Sequence, residues 1–409
     1  MPVQLSLAVT LATIMIASAS TSAFAQSNSS SVTPLPELVL AAIKGEPLAQ
    51  FQIGLVYYAD GDGQDFASAR LWFFRSAEQG NAMAQHRLGL MYFHGQGVEK
   101  DLANAWKLWT QSAELGNSDA QLKLATSYRL MEKYDQALHW YLKLAQQTSD
   151  HLVNAQLQIG LLYFNGQGVE RNYAEAFQWL RKSAEAGEAE AQFYLARSYE
   201  DGLGIAQDYQ EAIGWYRKSA AQDDGPAQVN LGLMYWKRLG VPQDFSEAAK
   251  WYRKAADQGN VDGQVKLSRR YSTGEGVQQD LKQAATWMRK AAKQGDAYAQ
   301  NSLGWKYEHG EGVPQDFSQA LEWYRKSAAQ GNGLAQRCLG GMYLSGQGVI
   351  QDDVQAHFWM NLAASQAKGD ELKELSGFRD KLASRMTSAQ IAEAQRLARE
   401  WKPTVASER

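Results

Sequence analysis

The sequence predicts an all-α protein, an α-solenoid of antiparallel helix pairs followed by a C-terminal helical cap. Two aromatic residues recur along the chain at nearly fixed intervals, and a glycine-containing link separates two helix-like stretches in most intervals. The recurring tyrosines are Tyr57, Tyr92, Tyr128, Tyr163, Tyr199, Tyr235, Tyr271, Tyr307 and Tyr343, each 35 or 36 residues after the last. A period of this length is typical of small units stacked in a line, not of one globular core.

The first 25 residues differ from the rest of the chain because they carry no charged side chain. Residues 5–16 are mostly apolar, and residues 23–25 (Ala-Phe-Ala) match a small-x-small cleavage site. We therefore predict a signal peptide at 1–25 and export to the periplasm or medium of a bacterium, with no transmembrane span after cleavage. An uncleaved membrane anchor and a eukaryotic secretory route are the alternatives. Residues 26–36, rich in serine, are predicted to be a flexible leader.

The first helix of a unit is clearest at Ala299–Glu308. Ala299, Leu303 and Tyr307 are four residues apart and share one helical face. Gly304 follows Leu303 and has no side chain, so a neighbouring helix can approach closely at this point. We expect the nine units to fill residues 37–366.

A glycine loop and a capping residue follow this helix. Gly310 suits the left-handed conformation that ends a helix, and Asp316 is placed to cap the start of the next one. The predicted caps in the other units are Asp65, Asp101, Asp135, Asn172, Asp208, Asp244, Asp280 and Asp352. The third unit has lost its glycine loop, and the sixth has Arg238 in place of the first glycine.

The second helix of each unit carries a tryptophan that we expect to fill the seam between units. These residues are Trp72, Trp109, Trp140, Trp179, Trp215, Trp251, Trp287, Trp323 and Trp359. Beyond the period, Gly369–Met386 and Thr387–Trp401 have the pattern of two amphipathic helices, and Thr387 with Gln390 matches a capping box. We predict a cap at 367–402 and a tail at 403–409.

The combined pattern AQxxLGxxYxxGxGVxxDxxxAxxWxxxAAxQG resembles the Sel1-like repeat (SLR), a relative of the tetratricopeptide repeat. The resemblance covers nine units from about Leu48 to Gln366. It implies a right-handed superhelix of antiparallel helix pairs and a scaffold or adaptor role in protein complexes. Exported bacterial members of the family are linked to envelope functions and host contact.

Patterns that carry catalysis or bind metals are weak in this sequence. The six histidines form neither an i, i+4 pair nor an HExxH motif, so no metal and no cofactor is predicted. Ser365-Gln366-Ala367-Lys368 matches SxxK, but no SDN or KTG motif accompanies it. Cys338 is the single cysteine, so no intramolecular disulfide can form. The chain carries 41 basic and 44 acidic side chains, a balance that argues against nucleic-acid binding.

The predicted function is therefore a non-enzymatic scaffold that binds protein partners and associates with the cell envelope. The alternative is an envelope enzyme or glycan binder acting on peptidoglycan or β-lactams. In tetratricopeptide relatives the first helices line the concave face, and by position this implies partner contacts from aromatic and arginine side chains. These are Tyr58, Phe93, Arg129, Phe164, Arg197, Trp236, Arg269 and Trp305. On this hypothesis, replacing Tyr58 or Trp236 weakens partner binding without lowering the melting temperature.

Overall fold

The computed structural model describes residues 35–59 and 65–404, which form 21 helices and no strand. The helices are α1 (Leu35–Ile43), α2 (Pro47–Tyr58), α3 (Phe66–Glu78), α4 (Ala82–His94), α5 (Leu102–Glu114), α6 (Ser118–Leu130), α7 (Tyr134–Leu144), α8 (Leu152–Asn165), α9 (Tyr173–Glu185), α10 (Ala189–Asp201), α11 (Tyr209–Ala220), α12 (Gly225–Lys237), α13 (Phe245–Asp257), α14 (Val261–Thr273), α15 (Leu281–Lys293), α16 (Ala297–His309), α17 (Phe317–Ala329), α18 (Gly333–Ser345), α19 (Asp353–Gln366), α20 (Gly369–Ala383) and α21 (Ser388–Glu400).

Helices α2 to α19 form nine consecutive antiparallel pairs, which we number repeats 1 to 9 from the N-terminal end. The chain divides into two compact units, residues 1–191 and 192–409, and each is a stack of such pairs. The all-α solenoid of helix pairs predicted from the sequence is thus confirmed. The predicted signal peptide, most of the leader and the glycines of the first loop lie outside the described residues. The first described helix, α1, begins at Leu35, within the last two residues of the predicted leader.

The two helices of a repeat approach closely where the first one carries a glycine. A Cβ atom added at Gly304 would lie 2.8 Å from the ring of Tyr324, and one added at Gly89 would lie 2.6 Å from the ring of Trp109. Contacts this short are closer than van der Waals packing allows. The close approach predicted at Gly304 is confirmed, and the partner is an aromatic ring of the same repeat.

Trp109 does not occupy the position that the sequence pattern assigned to it. Trp323 is the seventh residue after its helix cap, whereas Trp109 is the eighth after Asp101. Trp109 therefore takes the place that Tyr324 has in repeat 8, inside the repeat, and it is 1% exposed. The residue of repeat 2 that corresponds to Trp323 is Leu108, so the predicted series of nine seam tryptophans is wrong at this point.

The seam prediction holds for Trp287 and Trp323. Trp323 is 8% exposed and packs in one cluster with Met288 and Ala292 of the preceding repeat. A lysine three residues later covers the ring, with the ammonium of Lys326 4.4 Å from the centre of Trp323. Such a cation–π contact adds to the burial of the ring.

The recurring tyrosines fix the loops through their backbone. In every repeat the carbonyl of this tyrosine accepts a hydrogen bond from the N–H of the residue that caps the second helix, as between Tyr307 and Asp316 at 2.9 Å. The Asp316 carboxylate accepts from the N–H of Gln319 at 3.0 Å. The predicted caps are confirmed except Asp135, which lies in the first turn of α7. Lys133 takes the cap position there, because the loop of repeat 3 is shortened to a turn.

A ladder of glutamines joins successive repeats. The Gln300 side-chain amide donates to the carbonyl of Ala292 at 3.2 Å and accepts from Gln330 at 2.9 Å. The same donor and acceptor arrangement recurs at Gln228 and at Gln264. A buried amide satisfied on both sides costs little to bury and holds the register of the stack.

Repeat 2 breaks this ladder and offers a test of its contribution to stability. Leu115 stands where repeat 8 has Gln330, and the side-chain oxygen of the buried Gln85 has no hydrogen-bond partner. Replacing Leu115 with glutamine is expected to supply that partner and raise the free energy of unfolding by about 1 kcal/mol. Thermal unfolding of L115Q would show the gain. L115A, which removes the exposed leucine without adding an amide, should not reproduce it.

Two further helices close the described C-terminal end. Both α20 and α21 pack on α19, α20 through Leu375 and α21 through Ala394. The predicted capping box is present, since Thr387 and Gln390 exchange side-chain and backbone hydrogen bonds. Thr404, at the start of the predicted tail, donates its N–H to the Ala329 carbonyl at 2.8 Å.

Candidate interaction surface

The eight predicted contact residues fall into two columns on the first helices. The inner column directly follows the recurring tyrosine and contains Tyr58, Phe93, Arg129, Phe164 and Trp236. The outer column lies two residues before that tyrosine and contains Arg197, Arg269 and Trp305. The two columns differ in how far their side chains are buried, so the eight residues do not form one exposed surface.

The aromatic residues of the inner column pack within their own repeats. Phe164 is 7% exposed and its ring lies 5.2 Å from that of Tyr173, so it offers no surface to a partner. Tyr58 is half-buried, 6.0 Å from the ring of Phe73, and its hydroxyl donates to Gln96 at 2.9 Å. The half-buried ring of Phe93 lies 5.3 Å from Trp109.

Trp236 also belongs to the packing of its repeat. Its half-buried ring contacts the core cluster around Tyr252, and the Arg270 guanidinium lies 5.0 Å from its centre. The loss of a packed aromatic ring destabilises a protein by several kcal/mol when burial is complete and by less when it is partial. The structure therefore favours a lower melting temperature for variants at Tyr58 and Trp236, against the hypothesis drawn from the sequence.

The outer column is exposed. Trp305 is 43% exposed and stacks on His309 with ring centres 4.3 Å apart. Arg197 is exposed, and its guanidinium lies 3.5 Å from the Asp201 carboxylate. Arg269, two repeats further along the chain, is also exposed. Arg129 of the inner column is also exposed. These four side chains are the predicted contact residues that a partner can reach.

Two buried cations lie next to outer-column residues in the sequence, and neither was predicted as a functional residue. Arg270 and Lys306 are each 5% exposed and form ion pairs with loop glutamates, Arg270 with Glu275 and Lys306 with Glu311 at 2.6 Å. Repeats 2 and 9 have Met91 and Met342 in the position of Lys306, and there the residue between the loop glycines is glutamine, not glutamate. This paired exchange of residues was visible in the sequence.

Burial of His86 in α4 gives the first unit an acid-sensitive position. The pKa of His86 is lowered from 6.5 to about 4, mainly because burial disfavours the charged ring; Asp119 opposes the shift, and Arg87 and Lys123 add to it. As the pH falls from 6.5 to 4, the unfolded chain binds a proton at His86 and the folded chain does not. Stability should fall over that window by about 2–3 kcal/mol, and no contribution is expected above pH 6.5.

The comparison of urea unfolding at pH 7 and pH 4.5 for wild type, H86Q and H94Q tests this effect. H86Q should lose part of the acid destabilisation, while H94Q, which changes an exposed histidine of the same helix, should keep it. Equal pH dependence in all three proteins would contradict the assignment to His86.

The structure gives the surroundings of the SxxK residues and of the single cysteine. The Ser365 hydroxyl donates to the Leu362 carbonyl at 2.7 Å within α19, and Lys368 is exposed at the start of α20. Burial raises the pKa of the Cys338 thiol, which therefore favours the unreactive protonated form. Within residues 35–59 and 65–404, no three His, Cys, Asp or Glu side chains are grouped to hold a metal ion. None of the helices described there is long and apolar enough to cross a membrane.

Stacked helix pairs with an exposed column of tryptophan and arginine define a repeat protein of the α-solenoid class. Nine copies of the Sel1 repeat match this chain, at residues 47–81, 82–117, 118–149, 153–188, 189–224, 225–260, 261–296, 297–332 and 333–368. The chain thus belongs to the Sel1 repeat family. Proteins of this family generally mediate protein–protein interactions and are generally non-catalytic.

Two solved structures support the assignment over most of the chain. A protective antigen of uropathogenic Escherichia coli strains with an SLR fold is 34% identical, with 89% of this chain and 85% of that one covered and a TM-score of 0.53. A Sel1 repeat protein from Oxalobacter formigenes is 30% identical, with coverages of 84% and 90% and a TM-score of 0.52. An uncharacterised protein of Neisseria meningitidis is 28% identical over 128 residues, which are 31% of this chain and only 27% of the relative.

Proposed function

We propose that this chain is an exported scaffold that binds a protein partner through the outer column of its second unit. The proposal rests on the exposure of Arg197, Arg269 and Trp305. Each lies two residues before the recurring tyrosine, on the first helices of repeats 5, 7 and 8. Tryptophan and arginine are enriched among the few residues that contribute most of the binding energy at protein interfaces.

The contacts of Trp305 fit an anchoring role. Its stack on His309 holds the indole in one orientation, and the His309 ring nitrogen lies 2.9 Å from the Trp305 carbonyl. A side chain that is ordered before binding loses less conformational entropy in the complex. Arg269 lies on the preceding first helix at the corresponding position, so a partner that spans two repeats would contact both residues.

Partner capture from the native envelope fraction, with crosslinking and mass spectrometry, tests the surface. Replacement of Trp305 and Arg269 with alanine should reduce recovery of the specific partner at least tenfold, because each is expected to contribute more than 1 kcal/mol. The matched controls are Y298A, an exposed aromatic on the same helix as Trp305, and K282A, an exposed cation on α15.

The melting temperatures of these variants should match that of wild type, since all four side chains are exposed. Binding of the identified partner, once purified, should show the same order of affinities. Equal recovery by wild type and by the W305A/R269A variant would contradict this surface.

The export half of the proposal is supported by the uncharged, apolar pattern of residues 1–25. The similar Escherichia coli chain is a protective antigen, and an exported location for this chain agrees with that description. Fractionation of expressing cells should recover the protein outside the cytoplasm with Gln26 as its first residue. A25R should block cleavage, whereas S31R in the leader should not; an intact N-terminus on cytoplasmic wild-type protein would contradict export.

A further inference from the structure

Repeat 2 borders a cleft that the repeat pattern of the sequence does not predict. It has a volume of about 350 Å³ and lies between α3, α4 and α5 in the first unit. Its apolar and aromatic walls are Phe74, Ala77, Leu88, Tyr92 and Leu108. The polar residues Glu78, Gln85, Asn104, Lys107 and Gln111 also line it, so the cleft has an apolar part and a polar part.

The missing tryptophan of repeat 2 explains the cleft. In repeat 8 the ring of Trp323 packs in one cluster with Ala292 and Leu303, with Tyr307 against it. These three residues correspond by position to Ala77, Leu88 and Tyr92, which line the cleft of repeat 2. Leu108 takes the place of Trp323, and a leucine is too small to fill the volume of an indole. The cleft thus lies where another repeat of the same chain holds an indole ring.

A second substitution leaves an unpaired, buried hydrogen-bond acceptor on Gln85, one of the residues that line this cleft. Gln85 is 7% exposed, and its amide nitrogen donates to the Ala77 carbonyl at 3.2 Å. Its side-chain oxygen is buried without a partner, because Leu115 stands where repeat 8 has Gln330. A buried acceptor of this kind gains free energy from a ligand that brings an N–H group.

A third difference makes the edge of the cleft aromatic. Next to repeat 8, the second helix of repeat 7 has Arg289, whose guanidinium donates to the Tyr307 hydroxyl at 3.0 Å. At the corresponding position next to repeat 2, the second helix of repeat 1 has Phe74, which is 42% exposed and lines the cleft. An exposed phenyl ring at the edge of an apolar cleft favours contact with another aromatic ring.

We propose that this cleft binds the indole ring of a tryptophan side chain from a partner polypeptide. The inference rests on the proposed scaffold function and adds a second contact point, in the first unit. The apolar walls contact the ring, Phe74 contacts its edge, and the Gln85 oxygen accepts the indole N–H. The volume is sufficient, because apolar cavities of about 150 Å³ already bind benzene.

Binding of a capped amino acid tests the site directly. N-acetyl-5-fluorotryptophan amide is observed by fluorine NMR, since the 13 tryptophans of the chain would obscure a fluorescence signal. Its resonance should broaden and shift with full-length wild type and lose that effect with L108W, whose new ring fills the cleft. The matched control is L102W, which adds the same ring at an exposed position of the same helix outside the cleft.

The hydrogen bond to Gln85 has its own test, which also serves if L108W does not fold. N-acetyl-3-benzothienylalanine amide has the shape of the tryptophan derivative but no N–H group. Wild type should prefer the tryptophan derivative about fivefold in competition with the fluorinated reporter, as expected for one hydrogen bond. L115Q, which supplies Gln85 with an internal partner, should lose this preference.

The results separate this inference from the scaffold proposal. Absence of binding to wild type, equal binding to L108W, or an unchanged preference in L115Q would each overturn the cleft assignment. None of these results affects partner capture through Arg269 and Trp305 of the second unit, which is measured separately.

Discussion

Replacing Gly312 with alanine is expected to destabilise the protein by about 3 kcal/mol or more. Gly312 has a φ of +75°, which costs an alanine about 1–2 kcal/mol. The added Cβ would also overlap the carbonyl group of Leu281, the first residue of the second helix in the preceding repeat. Backbone cannot rotate away as a side chain can, so the two repeats must separate. Urea unfolding should show a marked fall in the midpoint.

The control is Gly310, two residues earlier in the same loop. Its φ is +69°, but the nearest atom to an added Cβ is the Gln315 nitrogen at 3.4 Å, which is close to ordinary contact. G310A should therefore cost only the conformational term, about 1–2 kcal/mol. The chain already has Arg238 at the corresponding position of repeat 6, with a φ of +61°. Equal losses in G310A and G312A would show that the contact between repeats is not the cause.

Replacing Glu311 with glutamine is expected to produce the second large loss, about 3 kcal/mol, because it leaves the buried Lys306 ammonium without its counter-charge. Glu311 is about a quarter exposed, so water reaches the pair and the loss should lie near the lower end for a broken buried ion pair. The Ser272 hydroxyl, 3.3 Å from the ammonium, cannot replace a carboxylate. Chemical unfolding of E311Q measures the effect.

The double variant K306M/E311Q provides the decisive comparison. It recreates the methionine and glutamine that repeat 9 already has at Met342 and Gln347. Because an ion pair and a well-packed apolar group have similar net stability, the double variant should recover most of the loss. A double variant as unstable as E311Q would mean that the carboxylate stabilises the loop by another route.

The sequence predicted those features of the fold that repeat within it. The interval between tyrosines gave the number of helix pairs, and the aspartates before the second helices gave the caps from Asp65 to Asp352, except Asp135. These predictions succeed because helix periodicity, left-handed glycines and caps depend on a few neighbouring residues. Asp135 failed because the shortened turn of repeat 3 moves the helix start to Tyr134.

The candidate surface was predicted less well, because helical spacing does not show which face a neighbouring helix covers. Tyr58 and Trp305 both lie on the face that the sequence marked as open. The second helix of the repeat covers Tyr58, whereas Trp305 is left 43% exposed. Burial in a stack depends on contacts between residues far apart in the sequence, and these decide which aromatic side chains a partner can reach.

The helix pairs, their loops and their caps follow from the amino-acid sequence alone, since each depends on local conformational preferences. Which ring fills which space depends on how the helices pack together, as Trp109 and Leu108 show. One residue of displacement places Trp109 inside its own repeat and leaves a cleft at Leu108. The physical reason is that side-chain volume is shared between helices, so a gap appears only when the packed neighbours are known.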